Sequence, residues 1–199
     1  MYFIGASGHA KVVIETWLAC GGSVEGIFDD DPAVTQLFNY PVGHDYSLAD
    51  FKKSKTFISI GSNASRKKLA ERISGNYESI IHPGAIVSPS STLGKGSILM
   101  AASILNASVL VAQHVIINTS ASVDHDCRLS DYVHVAPNAV LCGGVAVGEG
   151  SLVGAGATVI QDITIGRWAI IGAGSVITKD VPDYAVMAGV PGKIIRFNK

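Results

Sequence analysis

The tripeptide Asp124-His125-Asp126 places an imidazole between two carboxylates. An imidazole with a pKa near ~6.5 accepts a proton at neutral pH, and a carboxylate that fixes its tautomer raises its basicity. His125 is therefore the candidate general base, Asp126 its orienting partner, and Asp124 the weaker alternative for that role. Asn118 and His134 flank the segment as candidate substrate contacts, with a spacer role open for His134. Cys127 and Cys142 lie close by, but neither has a base positioned beside it, so a thiol nucleophile is disfavoured. His44, His82 and His114 are read as solvated side chains. A second set sits near the N-terminus, where Gly5-Ala6-Ser7-Gly8-His9 precedes an amphipathic pattern. Free N–H groups at a helix start bind phosphate, and Ser7, Gly8 and His9 would stand there. Asp29, with Asp30 beside it, falls where nucleotide-binding folds hydrogen-bond a ribose or base. The turn matches neither GxGxxG nor GxxxxGK[ST]. Gly61, Asn63 and Arg66 form a third group, for which simple capping and a solvated helix face serve equally well.

The elements that must hold these residues fall into two kinds. From Ile81 to Ile177 every sixth residue is Ile, Leu or Val, seventeen in succession without an insertion. With about a third of residues of these types, the chance probability is on the order of 10⁻⁸. Four residues after each aliphatic stands a small or aliphatic residue, such as Ser97, Ala121, Cys127 or Ser151. A period of six is neither 2 nor 3.6, so the unit is a short strand plus a turn, and three units close one triangular coil. The expected fold is a left-handed parallel β-helix over residues 79–182. Gly94, Gly148, Gly154, Gly166 and Gly172 suit places where a Cβ would crowd the turn. Residues eighteen apart stack, so His125, Gly143, Gln161 and Lys179 share one edge, while Ala155 and Ala173 share another. A pantetheine arm would lie along such an edge between two columns, with the Gly143 N–H as an oxyanion donor.

Residues 1–78 lack the repeat and read as a small Rossmann-like α/β domain in the order β-α-β-α-β. Strands are expected at residues 1–4, 24–28 and 56–60. Helices are expected at 10–19, burying Val12, Val13, Trp17 and Leu18, and from Ser62 or Asn63 to about 73. Such a half of a doubly wound sheet holds one nucleotide. The chain has 199 residues, a formal net charge of −1 and scattered Lys and Arg, which gives no basic field for nucleic acid. Its three cysteines form no CxxC pair, arguing against a disulfide framework or a structural zinc site. No run approaches the ~18 apolar residues of a membrane span, and no charged leader precedes an apolar stretch. A reducing, cytoplasmic setting is expected.

Several segments together carry a resemblance: Gly5-Ala6-Ser7-Gly8-His9, Phe28-Asp29-Asp30-Asp31-Pro32, Ile117-Asn118, Val123-Asp124-His125-Asp126-Cys127 and Gly189-Val190-Pro191-Gly192-Lys193. On these the sequence resembles the sialic acid O-acetyltransferase and UDP-4-amino-sugar N-acetyltransferase family of hexapeptide acyltransferases, of NeuD and PglD type. The resemblance implies a homotrimer with acetyl-CoA between adjacent prisms and a UDP-linked 4-amino-4,6-dideoxysugar held by the N-terminal domain. It implies that His125 deprotonates the amine, Asp126 orients it and Gly143 stabilises the oxyanion. Ser7, Gly8, His9, Asp29, Asp30, Gly61, Asn63, Arg66, Asn118 and His134 would meet the sugar nucleotide. His134, Gly143, Ala155, Ala173, Lys179, Val190 and Pro191 would meet the cofactor, the last two from a C-terminal tail of residues 183–199. No metal is expected. O-acetylation of sialic acid or another sugar is the second expectation. A non-catalytic scaffold, or a metal enzyme like the gamma-class carbonic anhydrases, is the rival from another class.

Overall fold

The computed structural model describes residues 1–198; Lys199, the end of the expected tail, lies outside the described residues. Short continuous apolar runs build β1 (Tyr2–Ile4), β2 (Gly26–Phe28) and β5 (Lys55–Ile58), which pair in parallel with β1 in the middle. Because successive side chains of a strand point to opposite faces, Phe3, Ile27 and Phe57 join one core while Ile4, Phe28 and Ile58 join another. Helix α1 (Gly8–Ala19) covers the first face through Ala10, Val13 and Ile14. Leu69 of α2 (Asn63–Arg72) packs in the second core. Ser62 caps α2, its Oγ accepting from the Ser65 N–H at 3.3 Å.

Two expectations fail in this domain. Between β2 and β5 no helix forms among the described residues. Instead β3 (Gln36–Leu37) and β4 (Tyr40–Gly43) pair antiparallel, and a 3₁₀ turn follows at Tyr46–Leu48. Pro32 and Pro41 remove donors that a helix would need. With β6 (Asn76–Tyr77) the sheet has six strands, ordered β3-β4-β2-β1-β5-β6. Val12 and Leu18 are exposed rather than buried, because at 100° per residue they lie off the stripe shared by residues 10, 13, 14 and 17.

From Ile80–Ile81 to Val176–Ile177 the chain makes seventeen two-residue strands in three parallel sheets, a left-handed β-helix. Each strand pairs with the one eighteen residues on, as Ile116–Ile117 does with His134–Val135. Both expected inward registers fill the core, with Leu99, Val123, Val135 and Leu141 from one and Ala121, Cys127 and Ala139 from the other. Buried serines in the second register are satisfied by neighbouring coils. Ser151 Oγ donates to Gly166 O at 2.6 Å and accepts from the Ala169 N–H at 2.8 Å. Ile81 and Val87 are exposed, since no coil lies beneath the first one. At the other end Ala185–Ala188 adds to the sheet and Lys193–Phe197 returns antiparallel to it.

The corner glycines act through close approach: a Cβ on Gly154 would lie 2.5 Å from Ile171 O in the next coil. The left-handed backbone falls two residues later in each unit, at Asp126 (φ 61°), Tyr132 (φ 61°) and Gly144 (φ 73°), among others. The N-terminal domain docks on one prism face, where α1 packs over Ile80, Ile98 and Ile116. Among the described residues no helix is long and apolar enough to cross a membrane.

Candidate active site

Val123 and Cys127, both fully buried, pin the two ends of one prism corner and leave residues 124–126 facing outward. Asp124 Oδ1 accepts from the His125 N–H at 2.8 Å and from Asn106 Nδ2, one coil away, at 2.9 Å. The left-handed turn at Asp126 brings its Oδ2 to 2.8 Å from His125 Nδ1. That carboxylate accepts the Nδ1 proton, which leaves the Nε2 lone pair free. The hydrogen bond to Asp126, followed by the charge of Asp124, raises the His125 pKa above the ordinary imidazole value. Gly143 sits one coil on, where a Cβ would lie 2.6 Å from His125 Nε2. Glycine there gives the ring its place. The Gly143 N–H finds no acceptor among the described residues. A groove of about 430 Å³ runs past these groups, lined also by Gly144, Gln161 and Asp162. Proton acceptor, orienting carboxylate and free N–H donor thus meet at one open site.

Asn118 and His134 do not join it within the same chain. His134 lies on the face that carries the N-terminal domain. Its Nε2 accepts from Asn118 Nδ2 at 3.0 Å and its Nδ1 donates to Gly61 O at 3.3 Å. Burial, and then the charge of Arg66, push its pKa down to about 3. His9 is its neighbour, with ring centroids 6.1 Å apart, and its pKa falls to about 4 for the same two reasons. Ala155 and Ala173 stack on the next corner, the Gly174 N–H donating to Ala155 O at 2.8 Å. Lys179, Val190 and Pro191 are exposed and lie outside the His125 groove.

A second cavity, about 290 Å³, opens at the ends of β1, β2 and β5. Ile4, Gly5, Ile60 and Leu69 form its apolar part, and Asp29, Asp30, Lys68 and Arg72 its charged rim. Gly5 is required here: its φ is +107°, and a Cβ would collide with Ile60. Asp29 Oδ2 accepts from the Ala6 N–H at 2.6 Å and Oδ1 from the Asp31 N–H at 2.9 Å, so this carboxylate braces the cleft. Asp30 pairs with Arg72 Nη2 at 2.8 and 2.9 Å, which holds its carboxyl below the usual range. Ser7 and Gly8 are exposed at the start of α1. Tyr46, Lys68 and Arg72 were not among the expected site residues. Ser65, Lys68, Leu69 and Arg72 recur at three- and four-residue spacing, the stripe that would have revealed Lys68 and Arg72, whereas Tyr46 sits on a separate turn with no such signal.

Two expectations need correction. Arg66 was placed on a solvated face or against substrate, yet it is 0% exposed and its donors are spent on protein acceptors. His114, expected in solvent, is 4% exposed, stacked on Tyr132 at 5.3 Å and edge-on to Tyr77 at 4.6 Å. Among the described residues no group of three or more His, Cys, Asp or Glu is arranged to hold a metal ion.

Residues 1–73 match the family model of the PglD N-terminal domain, and residues 126–161 and 144–179 match that of the bacterial transferase hexapeptide. PerB from Caulobacter crescentus, crystallised with CoA and GDP-perosamine, is 44% identical, with a TM-score of 0.91 over 97% of this chain and 95% of that one. The acetyltransferase domain of PglB from Neisseria gonorrhoeae is 36% identical, with a TM-score of 0.91 over 98% of each chain. GDP-perosamine N-acetyltransferase from Escherichia coli is 28% identical over 150 residues, 72% of this chain and 68% of that protein. An uncharacterised mimivirus protein also matches, and this chain spans 20% of its length. Near full-length likeness at 36% and 44% identity, on the fold that the six-residue period demands, shows that the chain belongs to the NeuD/PglD-type hexapeptide acetyltransferases.

Proposed function

We propose that the protein transfers an acetyl group from acetyl-CoA to the amine of a nucleotide-linked 4-amino-4,6-dideoxysugar. The observation that carries this reading is His125 Nε2, left free by Asp126, beside the unpartnered N–H of Gly143. The amine nitrogen attacks the thioester carbonyl while Nε2 takes its proton. The oxyanion accepts from the Gly143 N–H. On collapse the C–S bond breaks, and the departing thiolate takes the proton from the imidazolium. In this reading transfer is direct, with no acyl-enzyme intermediate, and the buried Cys127 thiol, pushed up to about 11, takes no part.

In this reading residues 1–78 hold the sugar nucleotide, residues 79–182 perform the transfer, and Val190 and Pro191 in the tail meet the CoA nucleotide. The chains assemble as a cytoplasmic homotrimer. The Ala155 and Ala173 edge of one prism faces the His125, Gly143 and Lys179 edge of the next across a pantetheine slot. Asn118 and His134 thereby approach the neighbour's His125. For the nucleotide, likeness to a protein crystallised with GDP-perosamine favours GDP over the UDP expected from sequence. The test is incubation with acetyl-CoA and GDP- or UDP-linked 4-amino-4,6-dideoxysugars, followed by mass spectrometry. Addition of one acetyl group, with the GDP-linked sugar preferred, is expected. Acetylation of sialic acid hydroxyls alone, or of no sugar, overturns the reading.

A further inference from the structure

Arg66 lies on α2, whose residues Ser65, Lys68, Leu69 and Arg72 line the cavity at the strand ends. Its own side chain points the other way, into the prism. Nε donates to His114 O at 2.8 Å and Nη2 to Tyr132 O at 2.8 Å, carbonyls that stack eighteen residues apart on successive coils. Nη1 donates to Ile60 O at 3.0 Å, just past β5, and Nη2 also to Asn63 Oδ1 at 2.9 Å. The Asn63 amide continues the same ladder to the third coil, donating to Gly150 O at 2.9 Å and Ser151 O at 3.2 Å. His134 ties Gly61 O from the prism side.

Among the described residues the cation has no carboxylate partner; carbonyl dipoles hold it. A buried charge so arranged contributes little net stability compared with an apolar side chain of similar size. What it supplies is direction, because a planar guanidinium fixes several acceptors at once, which a lysine ammonium does not. One side of α2 is thus fastened to three coils while the other side forms the wall of the cleft.

We propose that Arg66 is a positioning residue for acetyl transfer, setting the distance between the nucleotide cleft and the prism chemistry so that the tethered amine reaches the thioester. The inference rests on the reading that this cleft holds the nucleotide. Misplacement by about 1 Å costs on the order of 10²-fold in rate without loss of binding. Arg66→Lys and Arg66→Met should therefore lower kcat with the nucleotide-linked amino sugar at least ~10-fold, with Lys the milder. The Kd for GDP and the KM for acetyl-CoA should stay within about threefold, since neither cleft loses a lining group. Asn63→Ala, which removes three ties of the same ladder, should show the same split at smaller size. It supplies the test if the Arg66 variants do not fold.

A purely structural Arg66 would lower the melting temperature but leave kcat per folded molecule within about twofold of wild type, and that result overturns the proposal. So does GDP affinity falling in parallel with kcat, which would make Arg66 a support of the cleft alone. A wild-type protein that binds neither GDP nor UDP overturns the functional reading and this inference with it. Nucleotide binding without the kcat split overturns this inference only.

Discussion

His125 and the three histidines of the domain seam are the same side chain in opposite surroundings. At the corner, His125 is 60% exposed, has a carboxylate on each side, and its pKa is raised. In the seam, His9, His114 and His134 are packed around a buried cation, and burial with the Arg66 charge lowers them to about 4, 4 and 3. Asp131 opposes the shift at His114 only in part. The corner ring is equipped to gain and lose a proton near neutrality, whereas the seam rings stay neutral, His134 as a fixed donor and acceptor and His9 and His114 as packing surfaces. Their roles follow first from burial and then from which charges reach them.

The strongest way to break this contrast is to delete the corner ring. His125→Ala should lower kcat by about 10² to 10⁴ while leaving fold and assembly intact. Steady-state kinetics at saturating acetyl-CoA reads this out, and an unchanged kcat removes His125 as the base.

Asp126→Asn sharpens it. In the proposed mechanism activity requires neutral His125, so the acidic limb of the pH profile lies at its raised pKa, above ~6.5. Loss of the carboxylate should move that limb downward toward ~6.5 and lower activity about tenfold. A limb that stays in place would show that Asp126 does not set the basicity.

The last test lies in the seam and concerns stability rather than rate. The folded pKa values of His9, His114 and His134 lie below the unfolded value of ~6.5, so between these the unfolded chain binds more protons. Stability is therefore full above ~6.5 and falls as pH drops from there toward about 4 for His9 and His114 and about 3 for His134, by on the order of 1–2 kcal/mol per buried ring at pH ~5. The melting temperature should be lower at about pH 5 than at about pH 7.5; equality would contradict the buried, neutral state of these rings.

What the sequence revealed followed the range of the interactions concerned. The column was legible because each core position repeats within six residues, and the imidazole–carboxylate pair because His125 and Asp126 are adjacent. Gly143 emerged by adding one coil of eighteen. Arg66 and His114 were misjudged because their burial exists only once α2 has docked on the prism, a contact between segments 48 residues apart in the chain. Local pattern gives a helix arginine and a corner histidine to solvent. The β3 and β4 pair was missed for another reason, since two- and four-residue strands carrying Pro41 leave no readable alternation. The grouping of Asn118 and His134 with His125 came from proximity in sequence, and the triangular cross-section sends neighbours in sequence to different sides.

The bend at Asp126 has a consequence for how such a catalyst arises. From Gly96 to Gly174 every sixth residue adopts a left-handed conformation that Gly, Asn and Asp tolerate more readily than other residues. A scaffold with this demand samples acidic side chains at its rim simply by folding. Wherever histidine precedes one of them, an anion and an imidazole are held side by side by architecture already required for another purpose. Reactivity of this kind needs no added loop, only a substitution at a vertex.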